Sequence, residues 1–120
     1  MTDRQRAEQR GRRAETLASF ALICKGYSIL DRRVRTPSGE IDLIAQRGKL
    51  VAFIEVKARK SHDAALQAIT SKAQRRIVRA AELWMARRPR LASLDWRFDA
   101  ITVVPRRWPK HTIDAWRPNN

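Results

Sequence analysis

Gly39-Glu40-Ile41-Asp42-Leu43-Ile44, followed after a short polar stretch by Phe53-Ile54-Glu55-Val56-Lys57, is the part of the chain that decides its fold. Both segments have strand composition, and Arg47-Gly48 between them sits where a hairpin turns. Pairing the two strands lets Asp42 and Glu55 lie beside each other. Glu55 and Lys57, two apart on one strand, share a face. Two carboxylates and an ammonium then converge on a hairpin whose other residues include Leu43, Ile44, Leu50, Val51, Phe53, Ile54 and Val56. Near-continuous apolar strands belong to sheets covered on both faces. Charges in such strands are seldom buried unless paired or bound to metal. That favours a functional site over a solvated face with ordinary cross-strand ion pairs. A patch of this kind suits Mg²⁺ (or Mn²⁺), a hard cation held through one or two carboxylates plus substrate phosphates.

The charge balance names the source of those phosphates. Twenty-six Lys and Arg stand against 12 Asp and Glu, a net charge of +14, which points to DNA or RNA bound through its phosphate backbone. At 120 residues the chain is a single domain, 1–120, with fraying expected over residues 1–5. No stretch approaches the roughly 20 apolar residues that cross a bilayer. Leu17–Ile23 after the N-terminal arginines superficially imitates a secretion signal. Glu8 and Glu15 precede it, however, and no small-residue cleavage site follows, so the expectation is a cytoplasmic protein without membrane attachment. The single cysteine, Cys24, cannot form an internal disulfide, and its apolar neighbours predict packing rather than reactivity.

Outward from the hairpin, Ala14, Leu17, Ala18, Ala21 and Leu22 repeat at helical spacing, predicting a helix over about 4–25 with Gly26 as its stop. A strand is expected over 27–34, then the hairpin strands 40–45 and 50–59. A second helix follows over 72–87, ending before Pro89, then strands over 96–104 and 112–116, with Pro105 and Pro109 in the loop between them. His62 and Asp63 follow the second hairpin strand in a loop, where they could face a substrate. The expected fold is α/β, a mixed sheet flanked by helices with αβββαβ order.

Gly-Glu-Ile-Asp-Leu-Ile followed by Phe-Ile-Glu-Val-Lys resembles the signature of YraN-like proteins, small bacterial members of the PD-(D/E)XK nuclease-like superfamily close in fold to Holliday-junction resolvases. Gly11–Glu15 with Leu17 and Ala18, Lys25-Gly26-Tyr27, Gln74–Ile77 with Ala80-Ala81, and Arg97-Phe98-Asp99 extend the likeness over nearly the whole chain. The resemblance implies a restriction-endonuclease-like core and a Mg²⁺-dependent phosphodiesterase site. In it Asp42 and Glu55 ligate the metal, the Val56 carbonyl is a further ligand, and Lys57 is catalytic. It also implies action as a homodimer, and a fourth acidic ligand on the first helix, where Glu15 occupies the matching position. Glu15 has a second reading as a solvated glutamate paired with Arg12. Glu40 either lines the site or closes the turn at Gly39. Gln74 matches a catalytic-helix position of the superfamily; equally, Ser71-Lys72-Ala73-Gln74 reads as a capping box.

Lys72, Arg75, Arg76 and Arg79 form one stripe of the second helix, opposite Ala73, Ile77, Ala80, Ala81 and Trp84. With Arg12 and Arg13 in the basic N-terminal run, they are the expected backbone contacts. Trp84 is expected in the core. Trp96, Trp108 and Trp116 either stack on unpaired bases or pack. Asp99, beside Arg97 at the start of an apolar run, is expected to form an ion pair between strands. His62 and His111 lack zinc-ligand spacing. The functional expectation is a metal-dependent endonuclease; the alternative is a non-catalytic nucleic-acid-binding protein that keeps the fold.

Overall fold

The computed structural model describes residues 1–118, so Asn119 and Asn120, counted in the single-domain reading, lie outside the described residues. The elements are α1 (Asp3–Cys24), β1 (Ser28–Thr36), β2 (Gly39–Arg47), β3 (Leu50–Ala58), α2 (His62–Gln67), α3 (Ser71–Ala86), β4 (Asp95–Val103) and β5 (Lys110–Trp116), with a short 3₁₀ turn at Pro89–Leu91. The sheet has five strands in sequence order. Only β3 and β4 run parallel; every other neighbour is antiparallel. The α2–α3 segment makes the crossover that a parallel pair requires.

Each helix starts and stops for a local reason. The Thr2 hydroxyl accepts from the Gln5 N–H while the Gln5 side chain accepts from the Thr2 N–H, a complete capping box for α1. Gly26, at φ +89, turns the chain out of the helix into β1. Thr70, not Ser71, caps α3, its hydroxyl accepting from the Ala73 N–H. The Gln74 side chain is therefore not the partner of a capping box; it donates to the Ile69 carbonyl at 3.2 Å. Residues 62–67, expected as loop, form α2, capped by Ser61. Six residues are too few to show helical periodicity against the tight turns on either side.

The sheet carries a core on each face. On one, α1 lays Ala14, Ala18 and Leu22 against Leu43, Ala52, Ile54 and Ile101. The alanines let helix and sheet approach closely. On the other, Ile77, Ala80, Ala81 and Trp84 of α3 cover Ile41, Ile44, Phe53 and Phe98. Phe53, fully buried, meets Trp84, Trp96 and Phe98 at ring-centroid distances of 6.0, 5.6 and 5.5 Å. Gly39 brings the β1–β2 turn against α3, where a Cβ would stand 3.1 Å from the Arg76 Cβ. Cys24 departs from expectation: it is exposed at the end of α1, turned away from the α1 face that packs.

Candidate functional site: a carboxylate cleft where two strands part

The hairpin that decides the fold also opens the site. Backbone pairing of β2 with β3 runs from Arg47–Leu50 to Leu43–Ile54 and stops there. On the other side of β2, the β1 register pairs Arg32 with Leu43 and Val34 with Ile41, passing over Arg33 and Asp42. Asp42 is thus the one β2 residue without a partner on either neighbouring strand. Arg33 takes a left-handed conformation, φ +48, at this break, an unfavourable geometry for a non-glycine residue. Ile41 packs on the α3 face and Leu43 on the α1 face, so the strand's alternation resets across Asp42. Local breaks of this kind re-aim a side chain. Here the Asp42 carboxylate reaches β3 and accepts the Val56 N–H at 2.8 Å, a donor the parting strands would leave unpaired. The carbonyl of a strand residue points to the same side as its N–H, so the Val56 carbonyl also turns toward the opening.

Asp42, Glu55, Val56, Lys57 and Glu15 come together in one cleft of about 470 Å³, roofed by the α1 residues Ala7, Arg10, Gly11 and Ala14. The Glu55 side chain is only 12% exposed, and its carboxylate lies 3.8 Å from the Lys57 ammonium. Burial, then the hydrogen bond and negative charge of the adjacent Asp42, push the Glu55 carboxyl up to about 9; Lys57 offsets only part of this. Two carboxyl groups forced this close do not both ionise without a counter-charge, which a divalent cation supplies. Among the described residues, no three Asp, Glu, His or Cys side chains stand close enough to ligate one ion by themselves. The donors at hand for a cation are two carboxylates and a backbone carbonyl. They fit Mg²⁺, which keeps several waters and completes its octahedron with phosphate oxygens.

Glu15 lines the cleft, but its carboxylate is engaged by Arg33 at 2.9 Å, not by Arg12. Glu40 stands outside the lining, half exposed and 4.0 Å from Arg35 across the β1–β2 pair. Gln74 lines a separate groove on the α3 face. Arg10 and Arg59 join Lys57 in giving the cleft a cationic lining. Arg59 lies two residues beyond Lys57 on the strand period; nothing in the sequence singles out Arg33. Lys72, Arg75, Arg76 and Arg79 are all exposed along α3, and Arg12 and Arg13 on α1.

A second polar cluster lies on the α1 side of the sheet. Asp99, fully buried, takes both oxygens of its carboxylate to Arg97 on its own strand, at 2.8 and 2.7 Å. His111 Nε2 donates to it across from β5 at 2.7 Å, and the Asp114 N–H at 3.0 Å. Lys25 is a donor only, so its contact at 2.8 Å makes His111 Nδ1 the acceptor and places the ring proton on Nε2. The Tyr27 hydroxyl accepts from Arg97 at 2.6 Å, closing the network. Every member has its partners, so this cluster is a brace for β4, β5 and the end of α1. Burial alone would raise the Asp99 carboxyl, but the bonds from His111, Arg97 and Asp114 hold it below the ordinary aspartate value. A depressed folded-state value adds stability above the unfolded value, 3.8, which is lost as pH falls through the lower folded one. Urea unfolding across the acid range is expected to show this loss, and Asp99→Asn to flatten it.

The family model described as "Uncharacterised protein family UPF0102" matches residues 14–103, from the packed half of α1 through β4. The chain is 54% identical to a UPF0102 protein of Parvibaculum lavamentivorans over 108 residues, 90% of this chain and 81% of that protein. A UPF0102 protein of Chelativorans is 56% identical over 113 residues, 94% and 91% of the two chains. One from Mesorhizobium japonicum is 51% identical over 117 residues, 98% and 94%. With Glu15 and the divided β2–β3 hairpin inside the matched segment, the chain belongs to the UPF0102 family of YraN-like proteins.

Proposed function

We propose that the chain is a divalent-cation-dependent phosphodiesterase of the PD-(D/E)XK nuclease-like kind, an endonuclease acting in the cytoplasm on DNA or RNA held through its phosphates. The observation that carries the reading is the cleft itself. A break in the β-ladder aims Asp42 at Glu55, beside Lys57, in a lining made cationic by Arg10 and Arg59. Asp42, Glu55 and the Val56 carbonyl would hold the cation. When bound, it polarises a phosphoryl oxygen and lowers the pKa of a ligated water. The chain's own residues do the rest. Arg10 and Arg59 seat the substrate phosphates, and Lys57 orients the attacking water and stabilises the charge that develops on the pentavalent phosphate. The water oxygen bonds to phosphorus and gives up a proton to solvent, one ester P–O bond breaks, and the departing oxygen takes up a proton from solvent.

A non-catalytic nucleic-acid-binding role is the second reading. The ion pair between Glu15 and Arg33 favours it, since that pair withholds the third carboxylate from the site. Cleavage of labelled duplex, single-stranded, branched and RNA substrates, with Mg²⁺, Mn²⁺ or EDTA, separates the two. The proposal expects cutting that needs the metal and is lost in Lys57→Ala. Salt-sensitive binding without cutting, unchanged in that variant, would establish the second reading instead.

On either reading the α3 stripe binds phosphate nonspecifically. Lys72→Ala or Arg75→Ala is expected to weaken binding to all sequences alike and to lower the salt slope by about one each. Binding isotherms at several salt concentrations measure it.

A further inference from the structure

A groove on the α3 face is unlike the rest of the surface. It encloses about 520 Å³ between α3 and the ends of β4 and β5, within the size range of small-ligand sites. Trp96 lines it with 39% of its surface exposed, its inner edge held against Phe53 at 5.6 Å. Arg75 and Arg79, one helical turn apart, stand along one wall, and among the described residues neither has an ion-pair partner. Arg117, fixed by Asp114 at 2.7 Å, lies in the lining near Trp116. Glu82 is the one acidic side chain in the lining, one turn beyond Val78 and Arg79.

Trp116 also lines the groove, and its indole N–H is the only buried side-chain polar atom without a hydrogen-bond partner among the described residues. An exposed indole face held rigid from below and unpaired guanidiniums on the wall are the elements that recognise an unpaired nucleotide. The aromatic face stacks on the base, and the arginines take the flanking phosphates. A paired base hides the face that Trp96 would stack on, so the groove selects single-stranded chain.

We infer that this groove binds an unpaired nucleotide of a single-stranded segment, with its base on Trp96 and its phosphates on Arg75 and Arg79. The inference rests on the nucleic-acid reading above for its ligand class, but not on the carboxylate cleft, which lies on the other side of the sheet against α1.

The test is fluorescence anisotropy of a labelled oligothymidylate and of a labelled duplex, both in EDTA, so that cleavage plays no part. Trp96→Ala is expected to weaken oligothymidylate binding roughly ten-fold while duplex affinity changes little. Arg75→Gln with Arg79→Gln should weaken both ligands. Equal loss for both ligands in Trp96→Ala, or none for either, overturns the groove assignment and leaves the cleavage proposal standing. Binding of neither ligand by the unaltered protein would overturn both.

Discussion

Asp42→Asn is expected to lower metal-dependent cleavage by about 10³-fold, because a catalytic metal is worth several kcal/mol and each 1.36 kcal/mol is about tenfold in rate. The substitution is chosen for what it keeps. Asparagine's amide oxygen accepts the Val56 N–H as the carboxylate does, so the parting of β2 and β3 is preserved. What it removes is the negative charge that helps hold the Glu55 carboxyl up. The metal-free protein should therefore unfold at the same temperature or higher, while cleavage collapses. Loss of cleavage with a marked fall in melting temperature would assign Asp42 a merely structural role. Retained cleavage would remove it from the site.

Asp99→Ala is expected to give the largest loss of stability of any single change discussed for this chain. Its carboxylate is fully buried and satisfies Arg97, His111 and the Asp114 N–H together. Removing one partner of a buried charge pair costs about 3–5 kcal/mol. For a domain of this size that lowers the melting temperature by roughly 15 °C. Most of the cost is the guanidinium left buried without its partner. Arg97→Met combined with Asp99→Leu is therefore expected to recover much of it, as apolar replacements of buried ion pairs often do. Thermal unfolding of the two single variants and the double one measures the coupling. A loss under about 1 kcal/mol in Asp99→Ala would show that the network braces nothing.

The legible parts of this chain are the ones written in local pattern. The alternation and turn chemistry of residues 39–57, the alanine-rich period of α1 and the stripe of α3 each specify their element, because each is set by neighbours in sequence. The mixed sheet and the meeting of Asp42, Glu55 and Lys57 follow from pairing those elements. Other features depend on what the pairing places side by side. The left-handed turn at Arg33 is invisible in a run of strand-forming residues, yet it frees Asp42 from the ladder and brings a guanidinium to Glu15. Asp99 was expected to pair between strands; its arginine lies on the same strand, and the partner from across is His111, which only the placement of β5 brings near. Helix α2 is too short to carry a period. Gln74 matches a motif by spacing, but the α3 cap falls at Thr70, one residue before the expected Ser71, and the side chain turns back to the Ile69 carbonyl.

Calorimetric titration of the protein with Mn²⁺, beside Asp42→Asn and Glu55→Gln and without nucleic acid, tests the cation site most directly. Saturable binding at one site per chain is expected, lost in Asp42→Asn and weakened in Glu55→Gln. No saturable binding, or binding that both variants retain, would contradict the claim that Asp42 and Glu55 are placed together to hold a cation.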